Sequence, residues 1–256
     1  MTGDAGLLDG AVAIARAAAA AILAARGRGG VRTKADATPV TDADEAANAL
    51  IVERLTDLAP EIPIIAEESV AAGHVPAIGT RFWLVDPLDG TREFVAGRDE
   101  YTVNIALIVD TAPVLGVVGA PATGTVHAGL RGRGAFAEDA AGARRAIAAR
   151  TPPRAGPVAL ASRSHMERRT EDWLATAGAA EVRHFGSSLK FCVIAEGAAD
   201  VYPRFGRTME WDTAAGHAVL AAAGGSVRTV DGRDLAYGKP GFENPPFIAR
   251  GAEDRA

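Results

Sequence analysis

The sequence predicts a mixed α/β fold, α+β in its first half and α/β in its second, stacked as a layered sandwich. Three observations predict it. Two helical segments come first, a run of strands joined by short turns follows, and the remainder alternates strand with helix. The 256 residues, 48% hydrophobic and 23% charged, suit one large globular domain or two closely packed halves. A chain of that length can bury a full core without disulfides or a structural zinc.

Residues 7–26 read as a helix because Leu7, Leu8, Ala11, Ile14, Ala15, Ala18, Ile22 and Ala25 recur at three and four, before Gly27, Gly29 and Gly30 stop it. Asp9, Arg16 and Arg26 argue for a packed helix rather than a membrane span, and the start Met-Thr-Gly-Asp-Ala-Gly lacks the basic opening of a signal peptide. After a polar segment, Thr41 or Asp42 caps a second helix reaching Leu58, with Asp44 and Glu45 in its first turn. Ile62–Ala66 is a short strand leading into Glu67, Glu68 and Ser69, and residues 70–80 form a loop. Arg81–Asp86 is a strand broken by Pro87. Tyr101–Val109, Ala112–Ala120 and Thr125–Leu130 are strands separated by turns at 110–111 and 121–124. Gly132, Gly134 and the Ala/Gly/Arg-rich run at 139–150 mark a hairpin tip and a boundary, dividing the chain into halves at 1–150 and 151–256. The second half reads strand (158–161), helix (166–177), strand (181–185), helix (187–196), strand (200–202), helix (211–222) and strand (246–249).

The net charge is −5, with Lys and Arg scattered, so no basic stripe marks a binder of polymeric nucleic acid. The single cysteine, Cys192, excludes an intrachain disulfide or a Cys-based zinc site and suits a reducing cytoplasm. No membrane anchor is expected. Peripheral association with an inner membrane and the choice between monomer and homodimer stay open.

The informative segment is Trp83-Leu-Val-Asp-Pro-Leu-Asp-Gly-Thr91. A strand delivers Asp86 at its carboxyl end, Pro87 stops the ladder, and the turn returns Asp89 towards the same point, helped by Gly90. Two close carboxylates repel unless a cation lies between them, and hard cations such as Mg²⁺ take carboxylate and carbonyl oxygens. Asp86, Asp89 and the Leu88 carbonyl supply such oxygens, while the Gly90 and Thr91 amides could hold a phosphate oxygen. A bland reading exists for each acidic motif: Asp86–Gly90 as a surface turn, Glu67–Glu68 as a solvated loop, Asp44 and Asp212 as helix-start acids.

Taken together, the motifs resemble a known family. Asp86-Pro-Leu-Asp-Gly-Thr91 and Trp211-Asp-Thr-Ala-Ala-Gly216 are similar to the two signatures of the inositol monophosphatase superfamily, and Ala66-Glu-Glu-Ser69 and Pro39-Val-Thr-Asp-Ala-Asp44 to two further blocks, in the expected order. The resemblance spans about residues 5 to 250. Ser162-Arg-Ser-His165, the stretch from Gly186 to Gly197, Ala199–Gly206 and Asn244-Pro-Pro-Phe247 resemble the CysQ branch, bacterial 3'(2'),5'-bisphosphate nucleotidases. The resemblance implies a five-layer αβαβα sandwich with the metals where its halves meet. It implies two or three Mg²⁺: Glu67, Asp86 and the Leu88 carbonyl on one, Asp86, Asp89 and Asp212 on a second, and Glu67 helping to hold a third with its water. It further implies that Thr91 and Asp44 orient and activate the attacking water, and that lithium inhibits.

These roles match the chemistry. Phosphate monoesters hydrolyse very slowly unaided, so positioning and electrostatics must remove most of the barrier. Two cations about 3.5–4 Å apart can stabilise both the entering and leaving oxygens. Direct attack by water is expected, with no role for Cys192. For the substrate, Lys190 is one of only three lysines, and Ser187 and Ser188 open a helix; all three suit a second phosphate. Arg204 stands where inositol-specific relatives tend to carry an acid, and an Arg there favours phosphate. His165 reads equally as a ligand contact or a surface histidine. The substrate contacts expected are thus Glu67, Leu88, Asp89, Gly90, Thr91, His165, Ser188, Lys190, Arg204 and Asp212. Trp83 and Trp211 read as core packing, His217 as a satisfied interior residue, and Gly224-Gly225 as a helix terminator. The leading expectation is hydrolysis of 3'-phosphoadenosine 5'-phosphate to AMP, clearing a by-product of sulfate assimilation. The alternatives are an inositol-1-phosphate or fructose-1,6-bisphosphate phosphatase and, in a different class, an inactive nucleotide sensor.

Overall fold

Residues 3–27, 30–33, 39–163 and 167–253 are described by the computed structural model. Helix α1 (Asp4–Ala25) is followed by a small antiparallel pair, β1 (Val31–Thr33) and β2 (Pro39–Thr41), and by α2 (Asp42–Leu58). Next come β3 (Ile64–Ala66), α3 (Glu67–Ala71), β4 (Arg81–Asp89), α4 (Thr91–Val95), β5 (Thr102–Val109), β6 (Ala112–Ala120), β7 (Thr125–Leu130), β8 (Gly134–Glu138) and β9 (Arg144–Ile147). The chain continues through β10 (Val158–Ser162), α5 (Arg168–Thr176), β11 (Glu181–Phe185), α6 (Leu189–Ala195), β12 (Val201–Arg204), α7 (Ala214–Ala222), β13 (Ser226–Thr229) and β14 (Phe247–Arg250).

Strands β3 to β9 form one seven-stranded sheet in sequence order, antiparallel except for the parallel β3–β4 pair. Five strands form the second sheet in the order β11-β10-β12-β14-β13. Period-2 alternation gives each sheet two apolar faces. On β4, Trp83 and Val85 join the core shared with α1 and α2, while Phe82 and Leu84 join the core shared with α6 and α7. On β10, Leu160 faces that central core and Ala159 and Ala161 pack with Leu174 of α5. The layers are therefore α1/α2, the seven-stranded sheet, α6/α7, the five-stranded sheet and α5: the five-layer αβαβα sandwich.

Helix α1, at 22 residues, is long and apolar enough to cross a membrane, yet its Leu7, Ala11, Ile14, Ala15, Ala18 and Ile22 are buried in the first core. The central layer depends on two glycines that face each other in the β6–β7 register, Gly116 and Gly129. A Cβ at Gly116 would lie 2.3 Å from the Ala215 carbonyl oxygen, and one at Gly129 would lie 2.9 Å from the Val219 Cα, so only glycine lets α7 approach the sheet this closely.

Several sequence expectations need correction. Gly132 lies in the turn of the β7–β8 hairpin as expected, but the residues after it are more than a tip and a boundary: β8 and β9 extend the sheet, and Ile147 reaches the central core. Exposed Arg144 and Arg145 on the edge strand hide its strand character. The Glu67–Ser69 run opens helix α3 instead of starting a loop, and the short strands β1, β2 and β13, which lack an unbroken apolar run, are additional. Helix α7 begins at Ala214, leaving Asp212 in the preceding turn. Most consequentially, β4 runs through Pro87 to Asp89. Pairing passes from Asp86↔Asn104 to Asp89↔Thr102, three steps on β4 against two on β5. Pro87 has no N–H to offer the ladder, and the extra residue forms a bulge. Without the bulge, Asp86 and Asp89 would face opposite sides of the sheet; with it, both line one pocket.

Candidate active site

The pocket at the carboxyl end of β4 is lined by Glu67, Asp86, Leu88, Asp89, Gly90 and Thr91 from the first half and by Ser187, Lys190, Arg204, Arg207 and Asp212 from the second. Glu67 begins α3 straight after β3, which runs parallel to β4, so the adjacent strand ends bring Glu67 and Asp86 together. Asp212 arrives from the turn before α7. Carboxylate oxygens of Glu67, Asp86 and Asp212 all lie within 4.8 Å of one another. The Leu88 amide orients Asp86 by donating to its Oδ1 at 3.0 Å, and the Met209 amide orients Asp212 by donating to Oδ2 at 2.8 Å.

Asp89 stands outside that trio. Its Oδ2 accepts the Ser188 amide at 2.6 Å, with the Thr102 hydroxyl at 3.4 Å and the Asn104 amide at 3.5 Å. Burial, offset by the Lys190 charge and the Ser188 amide, pushes its carboxyl up to about 6. Asp212 is held well above the carboxylate range by burial and by the charges of Asp89 and Glu67. Such a group of hard oxygen donors, destabilised by its own like charges, fits a divalent cation.

Thr91 opens α4 after Gly90, whose φ of 90° is left-handed and whose Cβ would lie 2.9 Å from the Glu100 carbonyl oxygen. The Thr91 hydroxyl lies 3.0 Å from Asp44 Oδ1 and 3.1 Å from the Leu88 carbonyl oxygen, both acceptors for its one proton. Asp44 is only 2% exposed. It closes a capping box with Thr41, whose amide (2.7 Å) and hydroxyl (2.6 Å) donate to Oδ2, leaving Oδ1 for Thr91.

On the opposite wall, Lys190 is 4% exposed. Its Nζ donates to the Ser187 carbonyl at 2.6 Å and the Phe185 carbonyl at 3.2 Å, and lies 5.0 Å from the Tyr202 ring centroid. Burial lowers it to about 8, against the opposing pull of Asp89. Arg204, on β12, donates to the Arg207 carbonyl at 3.1 Å.

Ser188 differs from expectation. Its hydroxyl is buried against Asn104 (2.7 Å) and Thr102 (2.8 Å), so Ser187, not Ser188, lines the pocket. His165 lies outside the described residues. Thr102 and Asn104 went unnoticed in the sequence; their signal was two polar residues at alternate positions of an otherwise apolar strand. Arg207, Thr208 and Met209 were missed too, having no pattern of their own. Trp211 packs in the core and also lines the pocket, and His217 is buried with Nδ1 3.0 Å from the Tyr237 hydroxyl.

Residues 5–253 match the inositol monophosphatase family. The chain belongs to that family. It is 46% identical over 218 residues to the 3'(2'),5'-bisphosphate nucleotidase CysQ of Shigella flexneri, covering 85% of this chain and 87% of the relative. Among solved structures, CysQ from Bacteroides thetaiotaomicron superposes with a TM-score of 0.82 at 35% identity, over 96% of this chain and 97% of that one. The inositol monophosphatase of Anabaena (Nostoc) superposes with a TM-score of 0.77 at 26% identity, over 98% and 92%. Family membership and the acidic trio make the chain a metal-dependent phosphomonoesterase acting on a phosphorylated small molecule.

Proposed function

We propose that the chain is a magnesium-dependent 3'(2'),5'-bisphosphate nucleotidase that converts 3'-phosphoadenosine 5'-phosphate to AMP and phosphate, acting in the cytoplasm. The observation that carries this reading is the meeting of an acidic trio and a Thr91–Asp44 pair with Lys190, Arg204 and Arg207 across one pocket. Two or three Mg²⁺ would be held by Glu67, Asp86, Leu88 O, Asp89 and Asp212, and when bound they neutralise the phosphoryl charge and acidify the attacking water.

The protein groups do the rest by position. With its proton directed to Asp44 Oδ1, Thr91 Oγ1 turns a lone pair to the pocket and accepts a hydrogen bond from water. The proton leaving the water can pass to Thr91 as Thr91 passes its own to Asp44. Thr41 locks the Asp44 carboxylate, so the pair needs no reorganisation. The water oxygen forms the new P–O bond, the ester P–O bond breaks, and the 3'-oxygen leaves with the bonding pair and takes its proton from solvent water. Lys190, Arg204 and Arg207 suit the second phosphate, which a neutral polyol monophosphate lacks.

A phosphate-release panel over bisphosphonucleotides, inositol phosphates and sugar bisphosphates tests this. The nucleotide is expected to lead in kcat/KM by about tenfold or more, equal to about 1.4 kcal/mol of barrier. An inositol phosphate in first place would overturn the assignment of the cationic wall.

A further inference from the structure

Asp212 sits in a turn at residues 207–213 outside the strands and helices, and besides the turn's own hydrogen bonds a second segment fixes its aim. The neighbouring loop at 236–244 does this. Glu210 is fully buried, and its carboxylate takes the Gly238 amide at 2.7 Å, the Lys239 amide at 2.9 Å and the Lys239 ammonium at 2.6 Å. Asn244, 6% exposed, donates from Nδ2 to the Met209 carbonyl at 2.7 Å and the Thr213 hydroxyl at 3.0 Å, and from its amide to the Thr208 carbonyl at 2.9 Å. Lys239 Nζ also donates to Asn244 Oδ1 at 3.2 Å, linking the two. Met209, gripped by its carbonyl, in turn donates its amide to Asp212 Oδ2.

An apolar pair would hold two loops together without the cost of desolvating the Glu210 carboxylate, whose partner Lys239 keeps 29% of its side chain exposed. What the charged and amide groups add is direction, since hydrogen bonds fix the turn in one orientation where apolar contacts would allow several. We propose that Glu210, Lys239 and Asn244 are positioning residues that aim Asp212 into the acidic trio and so set the affinity of that trio for divalent cations. The proposal deepens the reading above and rests on the trio being a cation site. It also gives a role to the Asn244-Pro-Pro-Phe247 motif and to one of only three lysines.

The test uses the full chain and Mn²⁺ as the probe, with free Mn²⁺ measured by electron paramagnetic resonance in the absence of substrate. Asn244→Asp removes the Nδ2 donor at constant shape, Glu210→Gln removes the charge, and Lys239→Met removes the ammonium. Each is expected to weaken Mn²⁺ binding by about tenfold or more, the scale for groups that orient metal ligands. The Mg²⁺ concentration for half-maximal phosphate release should shift in parallel, while KM at saturating cation should not. Lys239→Arg, which keeps the charge, should recover most of the affinity. Leu174→Ala, on the buried face of α5 and away from the turn, should lower the melting temperature without changing Mn²⁺ affinity. The proposal is overturned if Asn244→Asp and Glu210→Gln bind Mn²⁺ like the wild type, or lose affinity only as far as Leu174→Ala does at equal loss of stability. Failure of the wild type itself to bind Mn²⁺ would instead overturn the cation-site reading beneath it.

Discussion

The two walls of the pocket are built differently. The seven-stranded sheet follows the chain order, with short turns from β5 onwards and the helices α3 and α4 on either side of β4, and it brings in acid: Asp86 and Asp89 from β4, Glu67 after β3, with Asp44 and Thr91 behind. The five-stranded sheet is assembled by crossovers, and it brings in base: Lys190 from α6, Arg204 from β12 and Arg207 from the following turn. Asp212 is the exception, an acid supplied from the basic side to complete the trio. The contrast suggests a division of labour in which the acidic wall governs the chemical step and the basic wall governs which substrate arrives.

That division can be broken by experiment. The largest effect is expected from Asp86→Asn, the buried member of the trio. Turnover should fall by about a thousandfold or more, some 4 kcal/mol of barrier, with the fold intact by circular dichroism. Because the variant lacks one of the trio's carboxylates, Mg²⁺ should raise the melting temperature of the wild type and hardly that of the variant. Full activity in Asp86→Asn would end the two-wall account. An intermediate effect is expected from Arg204→Met. KM for the bisphosphate should rise by about 10–100-fold, the scale of a charge-assisted contact, with kcat nearly unchanged. A fall in kcat alone would place Arg204 with the chemistry instead.

A third effect, on stability and not on catalysis, concerns His217 on α7, in the layer between the sheets. Burial, reinforced by the charge of Arg131, lowers its imidazole to about 3. Its folded value lies below the ordinary one of about 6.5, so the unfolded chain binds the extra proton between those limits. The neutral buried ring therefore contributes stability above about pH 6.5 that is lost as pH falls towards 3, by at most about 1.4 kcal/mol per pH unit. Urea unfolding of wild type and His217→Gln from about pH 4.5 to 7 should show a flatter acid limb in the variant. Parallel limbs would refute the assignment.

Much of the site was legible because its signals are local. Thr41 and Asp44 are three residues apart, so a helix start alone brings them together as a capping box. The Asp86-to-Thr91 run folds on itself within one bulged strand end and a glycine turn. The bulge is not legible in the sequence, because Pro87 signals a break in hydrogen bonding but not whether the strand resumes. The Asp89 cradle was not legible: Ser188 is 99 residues away along the chain, and nothing local to either residue specifies their contact. The same holds for Asn244, whose partners lie more than thirty positions upstream.

The sequence alone determined the order of the longer helices and strands, the apolar stripes that bury them and the residue types available for chemistry, since each depends on neighbours a few positions apart. Tertiary structure decided which oxygens converge. It tied Asp89 to the Ser188 amide, turned the Ser188 hydroxyl inward and set Asp212 in a turn clamped from another loop. Those outcomes depend on register across sheets and on layers closing over glycines, and both are settled only when distant segments compete for the same space.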